Sequence, residues 1–210
     1  MSNTNKRDFD AAAATWDDNP GRVALMGKVA DALMDRVAID SETAVLDYGA
    51  GTGLVTLALA AQAGSVCAAD GSAGMLAKLR EKAEATGLGH VTTLLLDLEN
   101  QPPPSRRFDL IVSTMTLHHI AGAKGVIKKL AGLLNDGGSL AIADLDIDNG
   151  EFHTDPTGVH HNGFEREQIK SYFRDAGLID ITDSTAHAFT REVTGKGMRP
   201  FSIFLVTGRI

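Results

Sequence analysis

Apolar residues in this chain fall into short runs that end in an acid or a glycine, with helical repeats between them. Val45-Leu46 leads into Asp47-Tyr48-Gly49-Ala50-Gly51-Thr52-Gly53, and a helix-type pattern starts at Leu54. Ser65 to Ala69 is a second run, closed by Asp70, and Val91 to Leu96 a third, closed by Asp97-Leu98. Leu110 to Thr114 and Leu140 to Leu145 predict a fourth and a fifth strand. Asn19-Pro20 reads as a cap with proline at the first helical position, followed by Val23, Met26, Ala30, Leu33 and Val37 at helical spacing. Ser72 caps the helix after the second strand. Val126, Ile127, Leu130, Leu133 and Leu134 predict another helix, stopped by Gly137-Gly138. Ile169, Phe173 and Ala176 predict one more, ended by Gly177. Ile179 to Thr185 and Phe201 to Gly208 predict a final pair of strands.

Strands alternating with helices indicate an α/β fold with a largely parallel sheet. Ligands of such sheets bind outside the carboxyl ends of the strands. Asp47, Asp70, Asp97, Thr114 and Asp144 to Asp146 belong to that edge or lie just beyond it.

The glycine turn carries the most chemistry. Its spacing is G-x-G-x-G, and Leu54 stands where the third glycine of a dinucleotide-binding G-x-G-x-x-G would fall. A pyrophosphate at a helix N-terminus needs amide donors and no nearby carboxylate. Asp47 would repel it, yet suits the ammonium of an amino-acid ligand, directly or through water. S-adenosylmethionine has an ammonium, a sulfonium and no phosphate. Asp70 lies about 20 residues beyond the turn, where an acid that holds a ribose belongs. Asp97 suits an adenine amino group, with Leu98 packed on the ring. Met75 is either core or an apolar cover for the adenine.

These stretches resemble the class I S-adenosylmethionine-dependent methyltransferases. The matching residues are Asp47 to Gly53, Asp70-Gly71-Ser72-Ala73-Gly74-Met75-Leu76, Asp97-Leu98, Phe108 to Ser113, Leu117-His118-His119-Ile120 and Leu133 to Gly138. The resemblance implies a Rossmann-like, doubly wound, mostly parallel sheet of about seven strands. Helices would cover both faces, and a C-terminal strand would run antiparallel. It implies one domain over residues 1–210, with a helical cap or arm over 1–40 and the core over 41–210. It places Gly49 and Gly51 beside the methionine moiety, Asp70 on the ribose, and Asp97 with Leu98 around the adenine. Ala50, Gly53, Gly71, Ser113 and Thr114 complete the expected cofactor set, and S-adenosylhomocysteine would be the product. One departure is Asp136, where the family often has proline before Gly-Gly; Asp-Gly still turns tightly.

Composition limits the partners. Lys plus Arg number 20 against 27 Asp plus Glu, a formal net charge of −7, which argues against a broad nucleic-acid or membrane footprint. Lys124, Lys128 and Lys129 lie at helical spacing and read as a solvated face. The single cysteine, Cys67, allows no internal disulfide. No signal peptide or long apolar span is visible, so a cytoplasmic monomer or homodimer is expected. Pro102-Pro103-Pro104 is a stiff loop, and the N-terminal segment starts with flexible polar residues.

Five of seven histidines fall in two segments that should face one cleft: His118-His119, and His153 with His160-His161. A neutral imidazole suits removal of a proton from the nucleophile in methyl transfer, and His119 and His153 are the candidates. No metal is expected, because His153…His160-His161 does not match a compact zinc pattern and adjacent histidines usually diverge. The acidic stretch Asp144 to Asp148 reads as a polar rim. Trp16 serves either as a cover for the sulfonium or as an apolar anchor of the arm. Met198 and Phe201 read as core. The expectation is a methyltransferase acting on a small molecule. The alternatives are a non-catalytic S-adenosylmethionine-binding module and an NAD-dependent oxidoreductase.

Overall fold

The computed structural model describes residues 7–210. The first six, part of the polar start expected to be flexible, lie outside the described residues. The chain order opens with α1 (Phe9–Ala12), a 3₁₀ turn (Ala13–Asp18), α2 (Pro20–Met34), β1 (Ala44–Tyr48), α3 (Thr56–Ala60), β2 (Ser65–Asp70) and α4 (Ala73–Ala85). It continues with β3 (Val91–Leu95), β4 (Phe108–Thr114), a second 3₁₀ turn (Leu117–His119), α5 (Ala123–Ala131) and β5 (Leu134–Leu145). It closes with α6 (Arg166–Asp175), β6 (Ile179–Val193) and β7 (Gly197–Arg209).

The strands form one seven-stranded sheet in the order β3-β2-β1-β4-β5-β7-β6. β1 to β5 pair in parallel, and β7 runs antiparallel to both β5 and β6. The order reverses between β1 and β4, where a doubly wound sheet opens a crevice.

Pleating sorts the apolar residues into two layers. Leu46, Ile111, Leu140, Ile142, Phe204 and Val206 face α5 and α6, meeting Val126, Ile127, Leu130, Ile169 and Phe173. Their neighbours Val45, Leu110, Val112, Ala141, Ala143, Ile203 and Leu205 face α2 and α3, meeting Val29, Ala30, Leu33 and Leu59. The helix starts follow the expected caps: Asn19 Oδ1 accepts from the Arg22 amide at 3.1 Å, and Ser72 Oγ from the Met75 amide at 3.1 Å.

Four expectations need correction. Leu133 and Leu134 do not extend α5, which ends at Ala131; Leu134 instead opens β5 and pairs with Phe108. A short apolar run cannot separate a buried strand from a helix end by periodicity. Regular helix after the glycine turn begins at Thr56 rather than Leu54. β6 and β7 run well past the expected bounds: β6 alternates exposed and half-buried residues and β7 opens with four exposed residues before its buried run, and for both extensions an apolar-run criterion is too strict. Finally, α2 is built into the core layer, so only α1 and the first 3₁₀ turn form an arm.

The turn after β1 takes positive φ at Gly49 (78°), Gly51 (55°) and Gly53 (85°). A Cβ on Gly49 would stand 2.1 Å from Thr116 Oγ1, whereas one on Gly51 would meet nothing within 4 Å. Both Gly49→Ala and Gly51→Ala should lose about 1–2 kcal/mol for left-handed backbone. Gly49→Ala should lose about 1–3 kcal/mol more through overpacking. Urea denaturation of the pair checks this; equal midpoints would refute the Thr116 contact.

Candidate active site

The carboxyl edge at β1 and β2 is a set of amide-to-oxygen contacts. The Gly49 and Ala50 amides donate to the Ala69 carbonyl at 2.8 and 3.1 Å, tying the turn to β2. Asp70, ending β2, accepts the Gly51 amide on Oδ2 and the Ser72 amide on Oδ1, both at 2.8 Å. Burial raises its pKa, opposed by those amides. Each oxygen keeps a second lone pair for another donor. The open space beside Gly51 and Gly71, where a Cβ would touch nothing, leaves this stretch of backbone open to a ligand.

Asp47 is fully buried at the end of β1. Its Oδ2 accepts from Thr56 Oγ1 at 2.6 Å, and its Oδ1 has no partner. Burial, reinforced by the charge of Asp70, pushes its pKa up to about 7. Next door on β4, Ser113 Oγ is also buried without a partner, and Thr114 is buried beside it. Among the described residues, the buried side-chain polar atoms left unpaired are Asp47 Oδ1, Ser113 Oγ and His153 Nε2. All three belong to this one edge, and unpaired buried polar atoms in a native fold call for a ligand or a chemical role. A ligand with a cationic group fits the buried acid.

The edge at β3, where the sequence leads one to expect an adenine, is organised by Asp97 and Tyr48. Asp97 Oδ1 accepts the Glu99 amide at 3.0 Å and Oδ2 accepts from Asn100 Nδ2 at 2.9 Å. The Leu98 amide donates to Tyr48 Oη at 3.1 Å. Burial, partly offset by that hydrogen bond, pushes the Tyr48 hydroxyl up to about 12. The Leu98 and Met75 side chains are both buried, Leu98 among the core residues around α5.

The arm lies across this edge. Asp10 Oδ1 accepts from Ser72 Oγ at 2.6 Å and the Gly74 amide at 2.7 Å. Asp17 accepts from Thr52 Oγ1 at 2.6 Å and Lys82 Nζ at 2.7 Å. Trp16 faces along the arm, with the Arg22 guanidinium 3.9 Å from its ring centre and Phe9 at 5.8 Å. These contacts hold the Trp16 ring between the arm and the start of α2.

Beyond β4 the backbone takes a left-handed step at Met115 (φ 52°). Thr116 Oγ1 then donates to the Gly49 carbonyl at 3.3 Å, and the 3₁₀ turn presents His118 and His119. His118 Nδ1 lies 2.6 Å from Asp144 Oδ1, both side chains buried. Burial alone would raise Asp144, but the charge and hydrogen bond of His118 and the Leu145 and His118 amides hold it below the ordinary range. His119 Nδ1 donates to the Gly158 carbonyl at 2.8 Å. The His118 ring centre stands 4.2 Å from that of His119 and 4.9 Å from that of His153. Burial first, then the neighbouring His118, lowers His119 to about 4 and His153 to about 3. Both rings are therefore neutral at pH 7.

The other histidines do not join them. His160 is exposed, and His161 Nε2 donates to the Ile120 carbonyl at 3.0 Å. His90 is bonded to the Ala60 carbonyl, and His187 stacks on Phe189 in the hairpin. The acidic stretch is not a free rim. Asp144 serves His118, Asp146 takes both Arg166 Nε and Nη2 at 2.7 Å, and Asp148 accepts the Phe152 amide at 2.9 Å. Nor are the lysines simply solvated: Lys129 donates to the Leu98 carbonyl and Lys124 pairs with Asp175. Met198 is exposed, contrary to expectation, while Phe201 is buried against Phe152 and Phe189. Sequence reasoning missed Asp10 and Asp17, which carry no motif, and the pairing of Asp144 with His118. That pairing was accessible, since both follow or end neighbouring strands.

Residues 45–138 match a methyltransferase domain family. An uncharacterised methyltransferase of Schizosaccharomyces pombe is 31% identical over 153 residues, 66% of this chain and 54% of that one. The aklanonic acid methyltransferase DauC of Streptomyces sp. (strain C5) is 30% identical over 111 residues, 51% of this chain and 50% of its own. The chain thus spans about half the length of these curated relatives. The crystal structure of a SAM-dependent methyltransferase from Aquifex aeolicus superposes with a TM-score of 0.71 at 23% identity, covering 98% of this chain and all of that one. With the glycine turn, the strand-end acids and the β3-β2-β1-β4-β5-β7-β6 sheet in place, residues 45–138 carry a methyltransferase domain, and the chain has the fold of, and resembles, the class I S-adenosylmethionine-dependent methyltransferases.

Proposed function

We propose that this chain transfers a methyl group from S-adenosylmethionine to a nucleophilic oxygen or nitrogen of a small molecule. The observation that carries this reading is the set of unpaired buried atoms: Asp47 Oδ1 and Ser113 Oγ on the paired strands β1 and β4, and His153 Nε2 on a ring beside His118, in the turn that follows β4. When bound, S-adenosylmethionine supplies an electrophilic methyl group on a sulfonium. Gly49 and Gly51 then border its methionine moiety, with the buried Asp47 carboxyl answering the ammonium. Asp70 uses its remaining lone pairs on the ribose, and Asp97 with the backbone at Leu98 bounds the adenine. The chain's main contribution is alignment, which supplies about 7–11 kcal/mol in well-oriented reactions.

His119 and His153 serve proton removal. Because Nδ1 of His119 donates to a carbonyl, Nε2 carries the lone pair, and neutrality at pH 7 keeps it available. Phe9 and Phe152 stand edge-on to these two rings at 5.2 and 4.9 Å and limit water there. A small substrate suits a cleft flanked by an arm and loops of the same chain, and the DauC relative is named for one, aklanonic acid. The net charge of −7 does not favour nucleic acid. Leu54 and the buried Asp47 disfavour NAD.

Calorimetric titration should show micromolar binding of S-adenosylmethionine and S-adenosylhomocysteine and none of NAD; preferential NAD binding would overturn the reading. Asp70→Ala should weaken S-adenosylhomocysteine by about 1.5–3 kcal/mol. Unchanged affinity would leave Asp70 only its role in holding the turn.

Binding should also report on Asp47. A ligand ammonium favours the ionised carboxylate, so binding expels the proton carried below its pKa of about 7. Affinity for S-adenosylhomocysteine should therefore rise as pH increases from about 6 to about 7.5 and then level. Asp47→Asn should flatten that slope, and an equal slope in the variant would remove Asp47 from the ammonium site.

His119→Ala and His153→Ala should lower methyl transfer by about 10²- to 10⁴-fold on a substrate found by screening hydroxylated and amino compounds with methyl-labelled cofactor. S-adenosylhomocysteine affinity should stay within about twofold. Full turnover in both variants would leave these rings a structural role.

A further inference from the structure

The geometry points to a binding site for a divalent transition-metal ion of the zinc class, held by His118, His119 and His153, with a coordination position left for an oxygen ligand. One ring nitrogen from each of the three lies within 4.8 Å of the others. Three protein ligands and an open fourth position form the donor set of catalytic zinc sites, and three imidazoles are one of its versions.

The surroundings of the rings match what such ligands require. An imidazole that binds a metal through one nitrogen is normally fixed by a hydrogen bond from the other, to a carboxylate or a carbonyl. His118 has this in Asp144, 2.6 Å from Nδ1 and fully buried. His119 has it in the Gly158 carbonyl, 2.8 Å from Nδ1. Both partners lie on the Nδ1 side, which leaves Nε2 of each ring as the donor. The third ring supplies a buried Nε2 without a hydrogen-bond partner. An ion between the rings satisfies three lone pairs at one point.

Chemistry selects the ion. The donor set is all nitrogen, with Asp144 engaged behind His118, so magnesium and calcium, which take oxygen ligands, do not fit. Nitrogens at about 2.0–2.1 Å from a tetrahedral ion stand about 3.4 Å apart. Loading therefore draws the ring nitrogens together by up to about 1.4 Å from the outer separation of 4.8 Å. His153, on the loop after β5, gives up no hydrogen bond at Nε2 in that shift. The site was hidden from spacing rules because its ligands are the adjacent pair His118-His119, which converge in a 3₁₀ turn, and not His160-His161.

The 3₁₀ turn follows Thr116, which contacts the Gly49 carbonyl. The open position therefore lies on the substrate side of the glycine turn and would take a phenolic, enolic or carboxylate oxygen of the acceptor. An ion there would occupy the lone pairs that His119 and His153 offer for proton removal in the ion-free chain, and would itself lower the pKa of the bound oxygen in their place. That assignment of the oxygen rests on the methyl-transfer reading; the ion site itself does not.

The test uses the untagged full chain, stripped with chelator. Equilibrium dialysis against Zn²⁺ should give one tightly held equivalent per chain, and Co²⁺ should give visible absorption bands of a four-coordinate site. His119→Ala and His153→Ala should each weaken Zn²⁺ binding at least about tenfold, while His187→Ala, in the hairpin, should not. Thermal melting and S-adenosylhomocysteine titration of each variant establish that it is folded. No bound Zn²⁺ in the unmodified chain, or binding in both variants as tight as in the unmodified chain, would overturn the site. S-adenosylhomocysteine binding without Zn²⁺ binding would refute the metal and leave the methyltransferase reading. Zn²⁺ binding without S-adenosylhomocysteine binding would do the reverse.

Discussion

The pairing of β1 with β4 at the reversal of strand order is the constraint from which the cleft follows. Val45 to Asp47 pair with Leu110 to Val112, so the two chains leave the sheet side by side and diverge into different layers. Each must turn within a few residues. β1 does so through three glycines at positive φ, and β4 through Met115, a non-glycine residue in the same region. Left-handed backbone at a non-glycine residue is strained and persists where the surroundings fix it. Here the Met115 amide donates to the Ala143 carbonyl at 2.8 Å, and Thr116 Oγ1 to the Thr114 and Gly49 carbonyls. The two turns thus hold each other, and the histidines inherit their position from that contact.

Two carboxyls at this edge show how partners decide the state of a buried acid. Asp47 and Asp144 are both completely buried, yet Asp47 is pushed up to about 7 while Asp144 is held below its ordinary value. Burial raises both. Asp144 has an imidazole and two amides to offset it; Asp47 has one hydroxyl and the adverse charge of Asp70. Asp144 is therefore compensated within the chain, whereas Asp47 lacks a cation. In the proposed function, the ammonium of S-adenosylmethionine brings one.

What was legible in the sequence follows the same division. Strands β1 to β5 could be read because each is a short apolar run closed by a turn former, and the strand-end acids because each stands at a fixed offset from such a run. The order of the sheet beyond alternation was legible only through family resemblance. Leu133 and Leu134 misled because an apolar pair fits a helix end as well as a buried strand. The hairpin of β6 and β7 was underestimated because Arg191, Glu192, Arg199 and Pro200 interrupt the apolar pattern in its distal part. The histidine trio was half legible: both segments pointed to one cleft, but which ring of the second would turn inward depends on the loop from Asp146 to Phe164. Its ends are set by Arg166 gripping Asp146 and by the Phe164 amide on the Leu145 carbonyl, contacts that no spacing reveals.

The arm shows how a closed edge remains usable. It is fastened at Asp10 to the start of α4 and at Asp17 to Thr52 and Lys82. The Asp17–Lys82 pair is about a third exposed on both sides, so water screens it and replaces it at little cost. α2, which follows the arm, is held by Val29, Ala30 and Leu33 in the core, and burial of that kind is far harder to undo. Asn19 and Pro20 at the start of α2 mark where the weakly held segment meets the strongly held one. Displacing the arm therefore gives up a few polar contacts and the edge-on contact of Phe9 with His119, and leaves the sheet and the core layers intact. Stability is concentrated in the layers beneath the crevice, while the cover above it is held by contacts that exchange readily with water.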